Sequence, residues 1–232
     1  MKKKELVLLF SLIVISVLVR FYFNPIAIDD ALITYRYAEN IAAGKGFRYN
    51  LWDKPPILGV TTPLFTLILA LGFKLGINAF LFADIIGGIS STVTIVFVYF
   101  ILKELGYKKA GVVAGIILSF FNDFVIYSMN GMETSLFIAF VFGAIYFLIK
   151  KKFYVTTVFL SILSLVRPEG FITTGILVLY YLYKYKKIPW KLGVFYLILI
   201  LPWIIYSTYT FGSPIPHTFF AKQGHASNKE VS

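Results

Sequence analysis

The sequence contains no cysteine, only two histidines and only 11 acidic residues in 232. Without a thiol there is no disulfide, no thiolate metal site and no cysteine nucleophile. A glycine-rich phosphate loop, a zinc-binding histidine pair and a Ser-His-Asp order are also missing, which leaves an ATP-driven pump without support. Charge of both signs is scarce: 14% of residues are charged and 59% hydrophobic, with a mean hydropathy of +0.81. A soluble domain needs more charge than this to cover its surface.

What is present is a series of apolar runs of 13 to 24 residues separated by short charged segments. A hydrocarbon core about 30 Å thick takes about 20 helical residues to cross, fewer where lysines snorkel or the bilayer thins. The aromatic share of 19% suits residues at lipid and headgroup depth. These features predict an all-α membrane protein. The first run, 6–23, follows Met1-Lys2-Lys3-Lys4 and exits through Arg20-Phe21-Tyr22-Phe23-Asn24-Pro25. No small-residue cleavage site follows it, so a retained signal anchor is expected.

The net charge of +11 is spread as short lysine clusters between apolar runs, a membrane-orienting pattern and not a nucleic-acid footprint. Lys2–Lys4, Lys103/Lys108/Lys109, Lys150–Lys152 and Lys184/Lys186/Lys187/Lys191 hold 13 basic residues, accompanied only by Glu5 and Glu104. Placing all four clusters in the cytoplasm requires an even number of crossings between neighbours. Three apolar stretches (6–23, 60–77 and 79–102) separate the first two, so one does not span. Stretch 60–77 carries Lys74 and opens with Val60-Thr61-Thr62-Pro63, so it is read as a helix at the outer membrane surface. Runs 110–129 and 134–149 then form one out-and-back pair. Run 153–183, about 46 Å if a single helix, is divided at Arg167-Pro168-Glu169-Gly170 into 153–166 and 171–183. With 192–209, the expectation is seven transmembrane helices, plus juxtamembrane and surface helices in a first outer loop over 24–78.

That topology puts Asp29, Asp30, Glu39, Asp53, Glu133, Glu169 and Glu230 on the outer face, and Asp84 and Asp123 within spans. Asp29-Asp30 opens a helical run over 31–43 that is closed by Gly44 and Gly46. Paired carboxylates at the mouth of a span suit a general base or a metal ligand, while an aspartate at a helix start also serves as an N-cap. Arg36 offers either a phosphate contact or an ion pair with Asp29 or Glu39. Glu133, in Asn130-Gly131-Met132-Glu133-Thr134, is a second outer carboxylate. Arg167 and Glu169 are costly near a membrane, and Pro168 between them argues that each pairs elsewhere. His217 and Lys222 in Pro214-Ile215-Pro216-His217-Thr218-Phe219-Phe220-Ala221-Lys222 could contribute to an anion site. Gly87-Gly88 and Ser90-Ser91 suit close helix packing.

Asp29-Asp30-Ala31-Leu32-Ile33-Thr34-Tyr35-Arg36-Tyr37-Ala38-Glu39-Asn40, then Gly44-Lys45-Gly46-Phe47-Arg48-Tyr49-Asn50 and Gly59-Val60-Thr61-Thr62-Pro63-Leu64, resembles the C-type (GT-C) membrane glycosyltransferases. The likeness is to the mycobacterial terminal arabinofuranosyltransferase group, and the Gly131–Thr134, Arg167–Gly170 and Pro216–Lys222 motifs follow in that group's order. The resemblance implies a seven-span catalytic module over 1–222 in the plasma membrane, with a cytoplasmic N-terminus and an extracytoplasmic site. It implies transfer of a sugar from a polyprenyl-phosphate carrier to an envelope glycan, glycolipid or glycoprotein. Asp29 or Asp30 would be the base, and Arg36, Lys54, Glu133, Arg167, Glu169, His217 and Lys222 would bind substrate or phosphate. A divalent cation (Mg, Mn or Ca) at Asp30 and Glu133 is left open. Members of the group continue into further spans, so the polar tail 223–232 is expected to mark a truncation, a minimal module or half of a split enzyme with a second membrane subunit. The alternatives are a transporter or lipid flippase, for which Asp84 and Asp123 would matter most, and a non-catalytic partner subunit.

Overall fold

The structure, a computed structural model, describes residues 3–23, 28–214 and 216. Among the described residues the chain is helical throughout, with ten helices and no strand. In order these are α1 Lys3–Phe21, α2 Asp29–Ala42, α3 Pro63–Lys74, α4 Ala79–Glu104, α5 Lys108–Phe120, α6 Asn122–Ile126, α7 Thr134–Ile149, α8 Phe153–Val166, α9 Glu169–Tyr185 and α10 Trp190–Phe211.

Among the described residues, two helices are long and apolar enough to cross a bilayer, Ala79–Glu104 and Trp190–Phe211. At 1.5 Å per residue the 26 residues of α4 span about 39 Å. Helix α1 has 19 residues but includes Lys3, Lys4, Glu5 and Arg20. Helices α7, α8 and α9 have 16, 14 and 17 residues, about 21–26 Å each and short of a full hydrocarbon core. Helix α3 is shorter still, 12 residues begun by a proline whose fixed φ suits a first turn. The run 110–129, expected as one continuous helix, is broken: Phe121 is extended (φ −67°, ψ 112°) between α5 and α6. Asn122 and Asp123 follow the break, and Asp123 is exposed in the first turn of α6.

Helix α4 is the axis of the fold, with α1, α3, α5 and α7 packed against it. At its C-terminal end charged side chains tie the bundle together. Glu5 accepts from Lys103 at 3.0 Å and Lys108 at 2.8 Å, and Lys150 donates to Glu104 at 3.1 Å. At its N-terminal end Ala79 and Ala83 join Ala31, Tyr35 and Ala38 of α2 and Phe65, Leu69 and Ala70 of α3 in one buried cluster. The lysine-bearing turns and the α2–α3 segment therefore occupy opposite ends of α4. A second cluster, Tyr37, Phe47, Leu58, Val60 and Phe211, fastens the 43–62 loop to the end of α10.

Candidate functional site

Helix α2 begins at Asp29 with Ile28 as its N-cap, and no side chain caps it. Both aspartates are exposed in the first turn. There they complement the helix dipole without being consumed as capping acceptors, so the capping role expected of one of them is not realised. The inner face of α2 carries Thr34, Tyr35, Tyr37 and Asn40, all buried. Asn40 Nδ2 donates to the Arg48 and Tyr49 carbonyls at 2.8 and 3.0 Å. Tyr37 Oη donates to the Ile57 carbonyl at 2.6 Å and accepts from the Gly59 amide at 2.8 Å. These two side chains hold the loop after α2 in place, which hydropathy reading could not reveal.

Tyr35 Oη donates to the Gly131 carbonyl at 3.2 Å. Gly131 has φ +76°, and a Cβ there would run into the Tyr35 hydroxyl, so glycine is required both by conformation and by space. This contact, together with Ala31 against Gly131, sets the first two turns of α2 beside the turn that carries Glu133. Glu133 is the residue before α7 and is 3% exposed. Burial pushes its carboxyl above the usual range, opposed by its own backbone hydrogen bond and by Arg167, with the charges of Glu169 and Asp30 adding to the rise. The Ala31 side chain, next to Asp30, stands against Gly131 of the same turn.

The third turn completes the cluster. Arg167 is extended (φ −151°, ψ 148°), the conformation a following proline favours, and Pro168 starts α9 in helical conformation. The turn is tight: a Cβ on Gly170 would strike the Leu163 carbonyl. Arg167 Nη1 lies 3.2 Å from Glu133 Oε1 and Nη2 2.9 Å from Glu169 Oε1. Arg167 thus finds the further partner expected of it in Glu133, but the expectation that it and Glu169 do not pair with each other is corrected, because an extended Arg167 followed by a helical Pro168 brings both side chains to the same side. The guanidinium also stands 5.9 Å from the Phe137 ring centroid. Burial depresses Arg167, but Glu169 and Glu133 outweigh it and raise the pKa. Glu169, itself disfavoured by partial burial, is brought below the usual range by Arg167.

Of the other predicted residues, Arg36 is exposed and its Nη1 lies 2.8 Å from Glu39, the ion pair and not a free phosphate contact. Lys54 is exposed in the loop after α2. His217 and Lys222 lie outside the described residues. The divalent cation considered at Asp30 and Glu133 would have to share Glu133 with Arg167, and among the described residues no three acidic or histidine side chains stand close enough together to hold a metal ion. That donor set does not by itself make a cation site, and no step below is routed through one. Comparison of the chain with family models, curated proteins and solved structures returns no match.

Proposed function

We propose that the chain is a GT-C-like glycosyltransferase of seven membrane crossings that moves a sugar from a polyprenyl-phosphate carrier to an acceptor hydroxyl outside the cytoplasm of the cell. The observation that carries this reading is the meeting of Glu133, Arg167 and Glu169 from two separate turns, with the start of α2 beside Asp30 packed against the Gly131 turn, at the end of α4 remote from the lysine clusters. With the lysine end cytoplasmic, that gathering faces outward. Helices α1, α4, α5 with α6, α7, α8, α9 and α10 are the seven crossings, and α2 and α3 are the juxtamembrane helices.

In this reading the exposed carboxylate of Asp29 or Asp30 takes the proton of the acceptor hydroxyl as its oxygen bonds to the anomeric carbon. The bond from that carbon to the phosphate oxygen breaks, and the polyprenyl phosphate leaves with its electron pair. The developing phosphate charge needs a cation and not an acid. Arg167, whose planar guanidinium suits phosphate oxygens, supplies it from a position fixed by Glu133 and Glu169. Divalent metal, Arg36, Lys54, His217 and Lys222 are secondary to this arrangement.

The test is transfer in membranes holding the full chain, with radiolabelled polyprenyl-phosphate hexoses and pentoses as donors. Removing the base by Asp29→Ala or Asp30→Ala should lower transfer by about 10²–10⁴-fold while the protein stays in the membrane fraction. Wild-type transfer by both variants would sink the proposed base.

A further inference from the structure

Arg20 is the most deeply buried charged side chain at the outer part of α1, 4% exposed, and the site above does not use it. Its Nε donates to Ser91 Oγ at 2.6 Å, and its Nη1 to the Ser16 carbonyl and hydroxyl at 2.9 and 2.8 Å. The guanidinium carbon is 5.5 Å from the Phe124 ring centroid. No carboxylate among the described residues lies within ion-pair distance of it, and Nη2 is buried with no hydrogen-bond partner. An unneutralised guanidinium in an apolar bundle is expensive, and fixed donors with one nitrogen left unpaired are what an anion would complete.

Arg20 lines a cavity of about 680 Å³ between α1 and α4. Its other walls are mostly apolar, among them Val17, Leu81, Ile85 and Ile89, each exposed on the outer surface of the bundle. The cavity therefore opens sideways, onto the face that a bilayer would cover. One more charged group lines it, Asp84, half-buried on α4. Arg20 lies along Gly88 and Ser91 of α4, and Asp84 is one turn before Gly88, about 6 Å along the axis. The wall thus presents a cation and a carboxylate side by side, not paired with each other, above an apolar trough.

We propose that this cavity binds a bilayer aminophospholipid: its phosphate on the Arg20 guanidinium, its primary ammonium on the Asp84 carboxylate, and an acyl chain along Val17, Leu81, Ile85 and Ile89. A head that carries both charges a two-carbon linker apart complements the wall. A phosphate without an ammonium, whether a glycerol-headed phospholipid or a polyprenyl phosphate, would leave Asp84 facing an anion. The proposal shares with the preceding reading only the membrane setting and needs no transferase activity.

The full chain, purified from membranes in a mild non-ionic detergent, should retain dioleoylphosphatidylethanolamine over dioleoylphosphatidylglycerol by about tenfold in native mass spectrometry. Asp84→Asn keeps the shape of the wall and removes only its negative charge, so the preference should shift towards phosphatidylglycerol. Arg20→Gln should lose both lipids, and the Asp84 variant carries the test if Arg20→Gln fails to fold. Equal retention of both lipids and of uncharged dioleoylglycerol by the wild type overturns the site, as does a preference left unchanged by Asp84→Asn. Displacement of phosphatidylethanolamine by a lower concentration of farnesyl phosphate would replace the assigned occupant with a prenyl phosphate. A chain recovered outside the membrane fraction would sink the membrane setting itself, whereas an inactive transferase that retains the aminophospholipid leaves this site standing.

Discussion

Arg167 Nη1 lies 3.2 Å from Glu133 Oε1, tying the turn before α7 to the turn before α9 across 34 residues of chain. The pair is asymmetric, since the Glu133 side chain is 4% exposed and that of Arg167 29%. Removing the guanidinium strands a buried carboxylate, whereas removing the carboxylate's charge leaves Arg167 with Glu169 at 2.9 Å. Arg167→Met should therefore cost about 3–5 kcal/mol of stability, and Glu133→Gln clearly less. Denaturation of the purified variants in detergent measures both. A Glu133→Gln variant less stable than Arg167→Met would reverse this account of the pair.

Tyr37 both donates to the Ile57 carbonyl and accepts from the Gly59 amide. Tyr37→Phe keeps the ring in its cluster with Phe47 and Leu58 and removes only the hydroxyl. The expected loss is about 1–3 kcal/mol, the cost of leaving part-buried backbone groups unpaired. It should be accompanied by faster amide exchange over 57–59. Unchanged exchange there would mean that the loop is held by its apolar contacts alone.

Gly170 permits the α8–α9 turn because a Cβ would meet the Leu163 carbonyl. Backbone cannot swing aside as a side chain can, so Gly170→Ala should destabilise the protein by roughly 1–3 kcal/mol. Gly175, in the same helix with open space around it, is the control, and Gly175→Ala should be neutral or slightly stabilising. Equal effects at the two positions would argue against a tight turn.

Glu5 sits between Lys103 and Lys108, and its hydrogen bonds to Lys108 and then Lys103 hold its pKa at about 2, against an ordinary 4.5. A depressed carboxylate contributes stability that is complete above its unfolded value and is lost as pH falls through the folded one. The wild type should therefore lose stability between pH 4.5 and about 2 more steeply than Glu5→Gln. Thermal midpoints measured over this range check the sign. Parallel curves would mean that the lysines do not stabilise the ionised form.

Composition and the lysine spacing were enough to establish an all-helical chain and to locate nearly every helix, because apolar run length and charge placement are local properties. The division at Arg167-Pro168 was legible for the same reason, proline acting on its own neighbourhood. The break at Phe121 was not, since 110–120 and 124–129 are both apolar and nothing but Asn122-Asp123 interrupts them. Asp29, Asp30, Glu133, Arg167 and Glu169 stood out as charges where charge is scarce, but which of them meet depends on residues that look ordinary in the sequence. Tyr35 against Gly131, and an extended Arg167, bring three turns together. Arg20 read as the end of an apolar run, and only its packing against Ser16 and Ser91 leaves one nitrogen unpaired beside a cavity that also holds Asp84. Charge and hydropathy are written along the chain, whereas partners distant in sequence are chosen only when helices dock, because a side chain's neighbours depend on how elements far apart in the chain pack.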